Sequence, residues 1–592
     1  MAYPLRFDDF FHCLHVASPP PLLPLMPTIQ PRRAGILIPV FALRSADDLG
    51  IGDTGCVREL IDWAADTGLG FLQFLPVNAT GGDSSPYNAI SSVALDYLTL
   101  HITPETLPEM EEKFYRATVR FIGGNALNGS DVPYEKVRKL KTYLLRHAFS
   151  RIDTVPERKA AFETFRDEER GWLDDYCLFR VLMDQHGHED WPNWPDEVNT
   201  GFKARAWLTE QRQVNAADIE AKLSFHAYVQ WLCFSQWRAV RAYASSKKIK
   251  LMGDVPFGIS WCSADVFFQP NEFNLEWCGG APPETYFKDD FFVQRWGQNW
   301  GIPLYRWDVM QDNGFSWWQR RVRKLTEIFD IFRIDHVLGF YRIYSFPWRP
   351  QRNAEFSPLT DAEAAERTGG RLPHFKENDD DTPEHKAANL AAGDKYLRMI
   401  VAAAAPNEVV GEDLGTVPDY VRSHLLSLDV PGFKICHWED NGHGQVQRGY
   451  DYDNCSFTTY ATHDHEPMKT HWEHRRRDLQ SPDEGDRYLA QKELRFLSEF
   501  AGMHVSHDGN FPAYDDIVRH ALLEALLSSN SRYAAFMLTD LFALEDRFNV
   551  PGIASGENWS ARLPMTTTEM RHGDRWKAEC QWLTEAVKRT GR

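Results

Sequence analysis

Eight short apolar segments, spaced along 592 residues, constrain this chain more than any other feature. The first two are Gly35 to Val40 and Phe71 to Leu75. Between them Thr54 to Thr67 carries Val57, Leu60, Ile61, Ala64 and Ala65 at helical spacing, and Gly68 follows as a stop. Strand, helix, strand in that order predicts a parallel sheet. After a long interruption the pattern returns at Ile249–Val255, Phe329–Ile334, Glu408–Val410, Phe433–Cys436, Phe457–Ala461 and Ala534–Leu538. Eight parallel strands with intervening helices predict an α/β fold of the (β/α)8 type, a TIM barrel. Its helical and loop insertions are expected at the C-terminal face.

The organisation expected from this pattern is an irregular leader over residues 1–34 and a single barrel over 35–592. Within the barrel, residues 104–246 read as a helical insertion, because Phe225, Val229, Leu232, Cys233 and Val240 recur on one face. Two further stretches, about 277–300 and 345–400, read as loop insertions. The second is polar and rich in Pro, Gly and Asp from Arg349 to Lys395. Early acidic residues and repeated prolines leave no signal-peptide core, and no run reaches the ~20 apolar residues of a membrane span. The protein is expected in the cytoplasm.

A formal charge of −19, without basic clusters, argues against nucleic acid or an anionic membrane as partner. A neutral substrate needs no such steering, and 20 tryptophans suit sugar faces. The nine cysteines include no C-x-x-C pair, which fits free thiols and supplies no zinc framework. No metal or cofactor is implied.

Four strand candidates end in an acidic residue: Asp254, Asp335, Glu412 and Asp464. Catalytic groups of such barrels sit just past the C-terminal strand ends. A single acid there is an ordinary helix cap or ion-pair partner. Four on one face repel one another, a strain that calls for a use. Retaining glycosidic cleavage needs such a set, with one ionised carboxylate as nucleophile and one protonated carboxyl as acid. Arg333, two residues before Asp335, points to the same side of its strand and supplies a compensating cation.

These motifs resemble those of the 4-α-glucanotransferases (amylomaltase or disproportionating enzyme, glycoside hydrolase family 77). The resemblance runs from Gly35 to Pro564 through GIGD (50–53), Asp83 followed by SSPYNAISS (84–92), GDVPFGIS (253–260), WGIPLYRW (300–307), FRIDH (332–336), GEDLG (411–415), PGFK (431–434), THD (462–464) and NVPG…NW..RLP (549–564). It implies transfer of an α-1,4-glucan segment from a donor to glucose or a maltooligosaccharide through a covalent glycosyl-enzyme. It further implies Asp335 as nucleophile, Glu412 as general acid/base and Asp464 as the holder of sugar hydroxyls, with His463 beside it. Arg333 would keep Asp335 ionised, Tyr87 would stack on the reacting ring, and Asp254 would either support the site from below or contact the substrate directly. His336 and Trp300 join His463 as substrate-binding candidates, each of the three with a packing role as its alternative. Asp413 competes with Glu412, although alternation sends the two to opposite faces. A glucan hydrolase of the same fold is the nearest alternative, and a catalytically inactive glucan-binding protein a more distant one.

The chain departs from the family pattern at Pro282-Pro283-Glu284-Thr285-Tyr286-Phe287 and at Ile302, which replaces an asparagine. Both changes bear on chain-length preference and acceptor choice.

Overall fold

A computed structural model describes residues 30–284, 290–504, 509–552 and 558–592. The expected leader therefore lies outside the described residues up to position 29, as do Thr285, Tyr286 and Phe287. Among the described residues there are twelve strands: β1 (Arg33–Leu37), β2 (Phe71–Gln73), β3 (Lys250–Val255), β4 (Phe273–Ala281), β5 (Gln298–Tyr305), β6 (Ile331–Ile334), β7 (Ile343–Phe346), β8 (His374–Lys376), β9 (Glu408–Gly411), β10 (Gly432–Ile435), β11 (Ser456–Thr459) and β12 (Tyr533–Met537). Eight close into a parallel barrel in the order β1-β2-β3-β6-β9-β10-β11-β12, and β12 pairs back onto β1. These are the eight segments expected from the sequence.

The first crossover shows why the local signals suffice. Helix Thr54–Thr67 begins at Asp53, whose carboxylate accepts the N–H groups of Gly55 and Cys56, and ends at Gly68 with φ +78°. The lower barrel interior is filled by Phe71, Met252, Ile331, Val410, Phe433, Ile435, Phe457, Tyr533 and Ala535. Gly35 makes room for this plug, since a β-carbon there would meet the Phe71 ring at 2.5 Å. Strand periodicity then builds the layer above. Two residues beyond Met252, Ile331 and Val410 stand Asp254, Arg333 and Glu412, pointing into the same lumen. The apolar floor thus carries a charged storey directly on top of it.

The interruption between β2 and β3 contains helices Glu112–Thr118, Tyr134–Phe149, Pro156–Glu168, Arg170–His186 and Gly201–Ser246, the last broken at Asn215. The two expected loops are corrected by the structure. Residues 277–300 contribute to a second, four-stranded antiparallel sheet of order β5-β4-β7-β8. Gly279 and Gly280 look like loop residues in sequence, but Gly280 serves strand pairing: a β-carbon there would lie 1.9 Å from the Gln298 carbonyl oxygen. Residues 345–400 include helices Asp361–Thr368 and Pro383–Ala404, each capped by a threonine side chain. Pro383 opens the second of them at its first turn, where a missing N–H costs nothing. No helix among the described residues is long and apolar enough to cross a membrane.

Candidate active site

Asp335 and Glu412 stand at the rim of the barrel because the sheet ladder continues one residue beyond β6 and β9. Asp335 N–H donates to the Val255 carbonyl and Glu412 N–H to the Ile334 carbonyl, each at 2.9 Å. Arg333, only 3% exposed, lies beneath them. Its Nη1 is 2.6 Å from Asp254 Oδ2 and 2.9 Å from Asp335 Oδ1, and its Nη2 is 4.0 Å from Glu412 Oε2. One guanidinium therefore faces three carboxylates, a geometry its planar fork supports and an ammonium does not. Asp254 is fully buried, accepts the Tyr87 hydroxyl at 2.6 Å through Oδ2, and leaves Oδ1 without a hydrogen-bond partner.

Removing this cation has a definite expected result. Arg333→Leu leaves buried carboxylates unopposed and costs on the order of 3–5 kcal/mol at neutral pH. Burial already raises the Asp254 pKa, with Arg333 opposing that rise. Without the guanidinium it rises further, so the folded state of the variant holds protons that the unfolded state has released. Stability of the variant then increases as pH falls from 8 toward 5. Thermal melting of both proteins at the two pH values checks this, and an equal deficit at both would refute it.

Glu412 and its sequence neighbour are separated cleanly. Glu412 Oε2 accepts the His336 N–H at 2.8 Å and Oε1 the Leu414 N–H at 2.9 Å. Burial pushes its pKa up to about 8, against the pull of Arg333 and with the help of Asp335. Asp413 turns the other way, accepting Phe433 N–H at 2.6 Å and Arg422 Nε at 3.3 Å. A carboxyl that holds its proton near neutrality sits beside one that faces a cation, the division of labour that acid-assisted attack requires.

Asp464 follows β11 and reaches the same face with its side chain 39% exposed. Burial would raise its pKa, but His463, a hydrogen bond from Asn549, His465 and Arg333 together lower it, so it stays ionised. Asn549 Nδ2 donates to Asp464 Oδ1 at 2.6 Å, and Arg547 Nη2 to the Asp464 carbonyl at 2.5 Å. His463 Nε2 lies 3.3 Å from Asp464 Oδ1, and its ring stacks on Tyr87 at 5.0 Å and 16°. One face of Tyr87 is thus covered by His463.

The remaining candidates divide. His336 has φ +50°, and burial lowers its pKa to about 4, which keeps the imidazole neutral. Trp300 stands edge-on to it at 4.8 Å and is 39% exposed at the cleft. Trp307, the last residue of the WGIPLYRW motif, packs face to face on Tyr396 at 4.0 Å. Ile302 covers Gly258 and Gly279, where β-carbons would lie 2.4 and 3.1 Å from it. Arg547, Asn549 and Trp559 escaped the sequence reading as site residues. The NVPG…NW..RLP motif marked their neighbourhood, but nothing local tied them to Asp464 or Tyr87.

Comparison with known proteins gives the family. The sequence matches the 4-alpha-glucanotransferase family over residues 38–567. The 4-alpha-glucanotransferase of Chlamydia trachomatis serovar D is 30% identical, over 89% of this chain and 90% of that one. The Thermus thermophilus 4-alpha-glucanotransferase is 29% identical, over 94% and 99%. In fold the chain is similar to an amylomaltase from Streptococcus agalactiae in complex with acarbose, with TM-score 0.70, 20% identity, and coverage of 95% of this chain and 99% of that one. The Corynebacterium glutamicum amylomaltase gives TM-score 0.72 at 20% identity over 94% and 75%. With the family matched across nearly the whole barrel and a carboxylate-lined rim of the kind glycosidic chemistry needs, the chain belongs to the 4-alpha-glucanotransferase family.

Proposed function

We propose that the protein moves a segment of an α-1,4-glucan donor onto the 4-hydroxyl of glucose or a maltooligosaccharide by double displacement at Asp335. Asp335 attacks the anomeric carbon while Glu412 gives its proton to the departing glycosidic oxygen. The leaving chain exits with that proton, and Asp335 becomes an ester of the retained segment. Glu412, now a carboxylate, takes the proton of the incoming 4-hydroxyl, whose oxygen displaces Asp335 and restores the α bond. Asp464 holds hydroxyls of the ring at the reacting centre, and Arg333 holds the Asp335 carboxylate through Nη1 at 2.9 Å. Trp300 and His336 line the acceptor side, and Tyr87 the reacting ring. The observation that carries this reading is the contrast between Asp335 on Arg333 and Glu412 with its pKa raised by burial. We place the reaction in the cytoplasm, where the eight described cysteines, all free, stay reduced.

Maltotriose as sole substrate tests the transfer step. Two molecules give a longer maltooligosaccharide and glucose, and repeated rounds build a ladder while total reducing ends stay nearly constant. Added glucose shortens the ladder by accepting segments. Reducing ends that grow in step with donor loss, without products longer than the donor, would show that water resolves the intermediate and would replace transfer by hydrolysis.

A further inference from the structure

One wall of the site is made by chain far downstream of the barrel strands that carry the acids. Trp559 has φ +64°, a left-handed conformation that a bulky side chain holds only when its surroundings impose it. The residue is 9% exposed, and its indole tilts against both members of the stacked pair, 5.8 Å from Tyr87 and 5.8 Å from His463. The Trp559 backbone N–H donates to the Phe548 carbonyl at 2.8 Å. Its own carbonyl accepts the hydroxyl of Tyr134 at 2.6 Å.

Tyr134 belongs to the helical insertion, where it opens helix Tyr134–Phe149. The contact is one rung of a short ladder. Val132 N–H donates to the Ser560 carbonyl at 2.8 Å, Arg562 N–H to the Ser130 carbonyl at 2.7 Å, and Asp131 pairs with Ala561. Arg562 Nη1 reaches back to the Leu127 carbonyl at 2.8 Å. The insertion thus grips the segment that presents Trp559.

We infer that Tyr134 is a positioning residue for the transfer reaction: its hydroxyl on the Trp559 carbonyl holds the indole that backs the Tyr87–His463 pair. This rests on the carboxylate roles given above. The chain of contacts is continuous, since Tyr87 donates to Asp254 and His463 lies against Asp464. Without the hydroxyl, residue 559 relaxes toward an ordinary backbone region, and the stacked pair loses its backing. Misplacement of that kind weakens the transition state more than the bound substrate.

The test uses Tyr134→Phe, which keeps the ring and removes one oxygen, together with Trp559→Phe and the double variant. In maltotriose disproportionation, each single change should lower kcat about tenfold while KM stays within about twofold. Active sites are counted as the folded fraction read from a thermal melt, so that unfolded protein does not enter kcat. Because both act through one ring, the double variant should fall no more than about twofold below the worse single. Unchanged kcat in Tyr134→Phe, a loss confined to the number of active sites, or losses that multiply in the double variant would overturn the inference. Asp335→Asn run alongside separates the two levels. An active Asp335→Asn protein removes the carboxylate reading and this inference with it, whereas an inactive one beside an unaltered Tyr134→Phe overturns this inference alone.

Discussion

Asp335→Asn should lower the rate of maltotriose disproportionation by about 10⁴-fold, some 5 kcal/mol of transition-state stabilisation, while the protein remains folded. The amide is nearly isosteric but has no anionic oxygen with which to form the glycosyl ester. Little stability is at stake. The side chain is 29% exposed, and Arg333 keeps its shorter contact to Asp254 at 2.6 Å. Product analysis over hours, paired with a thermal melt, reads both quantities. More than about 1% residual activity in a properly folded variant would remove Asp335 from the role of nucleophile, since a residue that forms the covalent bond has no partial substitute.

Glu412→Gln should separate donors by how much acid they need. With a sugar leaving group the variant loses its proton donor, and kcat falls by about 10³-fold. With an α-maltosyl fluoride, whose leaving group departs without much help, the first step should slow by less than about tenfold. The ester then accumulates, because glutamine has no carboxylate to deprotonate an acceptor. Mass spectrometry of a peptide spanning Phe332 to Gly339 should carry the adduct, and an adduct on Asp464 instead would exchange the two roles. The pH profile follows from the same group. Burial raises the Glu412 pKa to about 8, and under the proposed mechanism the protonated form is the active one, so wild-type activity with maltotriose should fall as pH rises through that value. The limb belongs to the interacting Asp335–Glu412 pair. It should vanish from the fluoride reaction of Glu412→Gln, and its persistence there would assign the limb to another group.

What was legible in the sequence was whatever depends on near neighbours. Thr54 to Thr67 was readable as a helix because Asp53, the apolar spacing and Gly68 all lie within one segment. The eight strands were readable because a buried parallel strand is a short apolar run, and their count selects a barrel. The pairing of Arg333 with Asp335 was readable from period two alone, and the structure puts them 2.9 Å apart. The loop expectations failed where composition misled. Gly279 and Gly280 mark close backbone approach between strands rather than a turn, and an Ala-rich stretch inside a polar region is the helix Pro383–Ala404.

The sequence by itself therefore determined the barrel, the ends at which acids emerge, and which acids share a strand face with a cation, because side-chain direction along a strand repeats every two residues. Only the tertiary structure decided how those ends meet. It set Asp254 against the same guanidinium as Asp335, turned Asp413 toward β10 while Glu412 faced Arg333, and left Trp300 at the cleft while Trp307 packed on Tyr396. It also brought Asn549 to Asp464 across 85 positions and Tyr134 to Trp559 across 425. Periodicity carries no information over such separations. These contacts exist because closing eight strands into a ring carries the C-terminal strand ends and the insertions to one rim, where burial and hydrogen bonding select the partners.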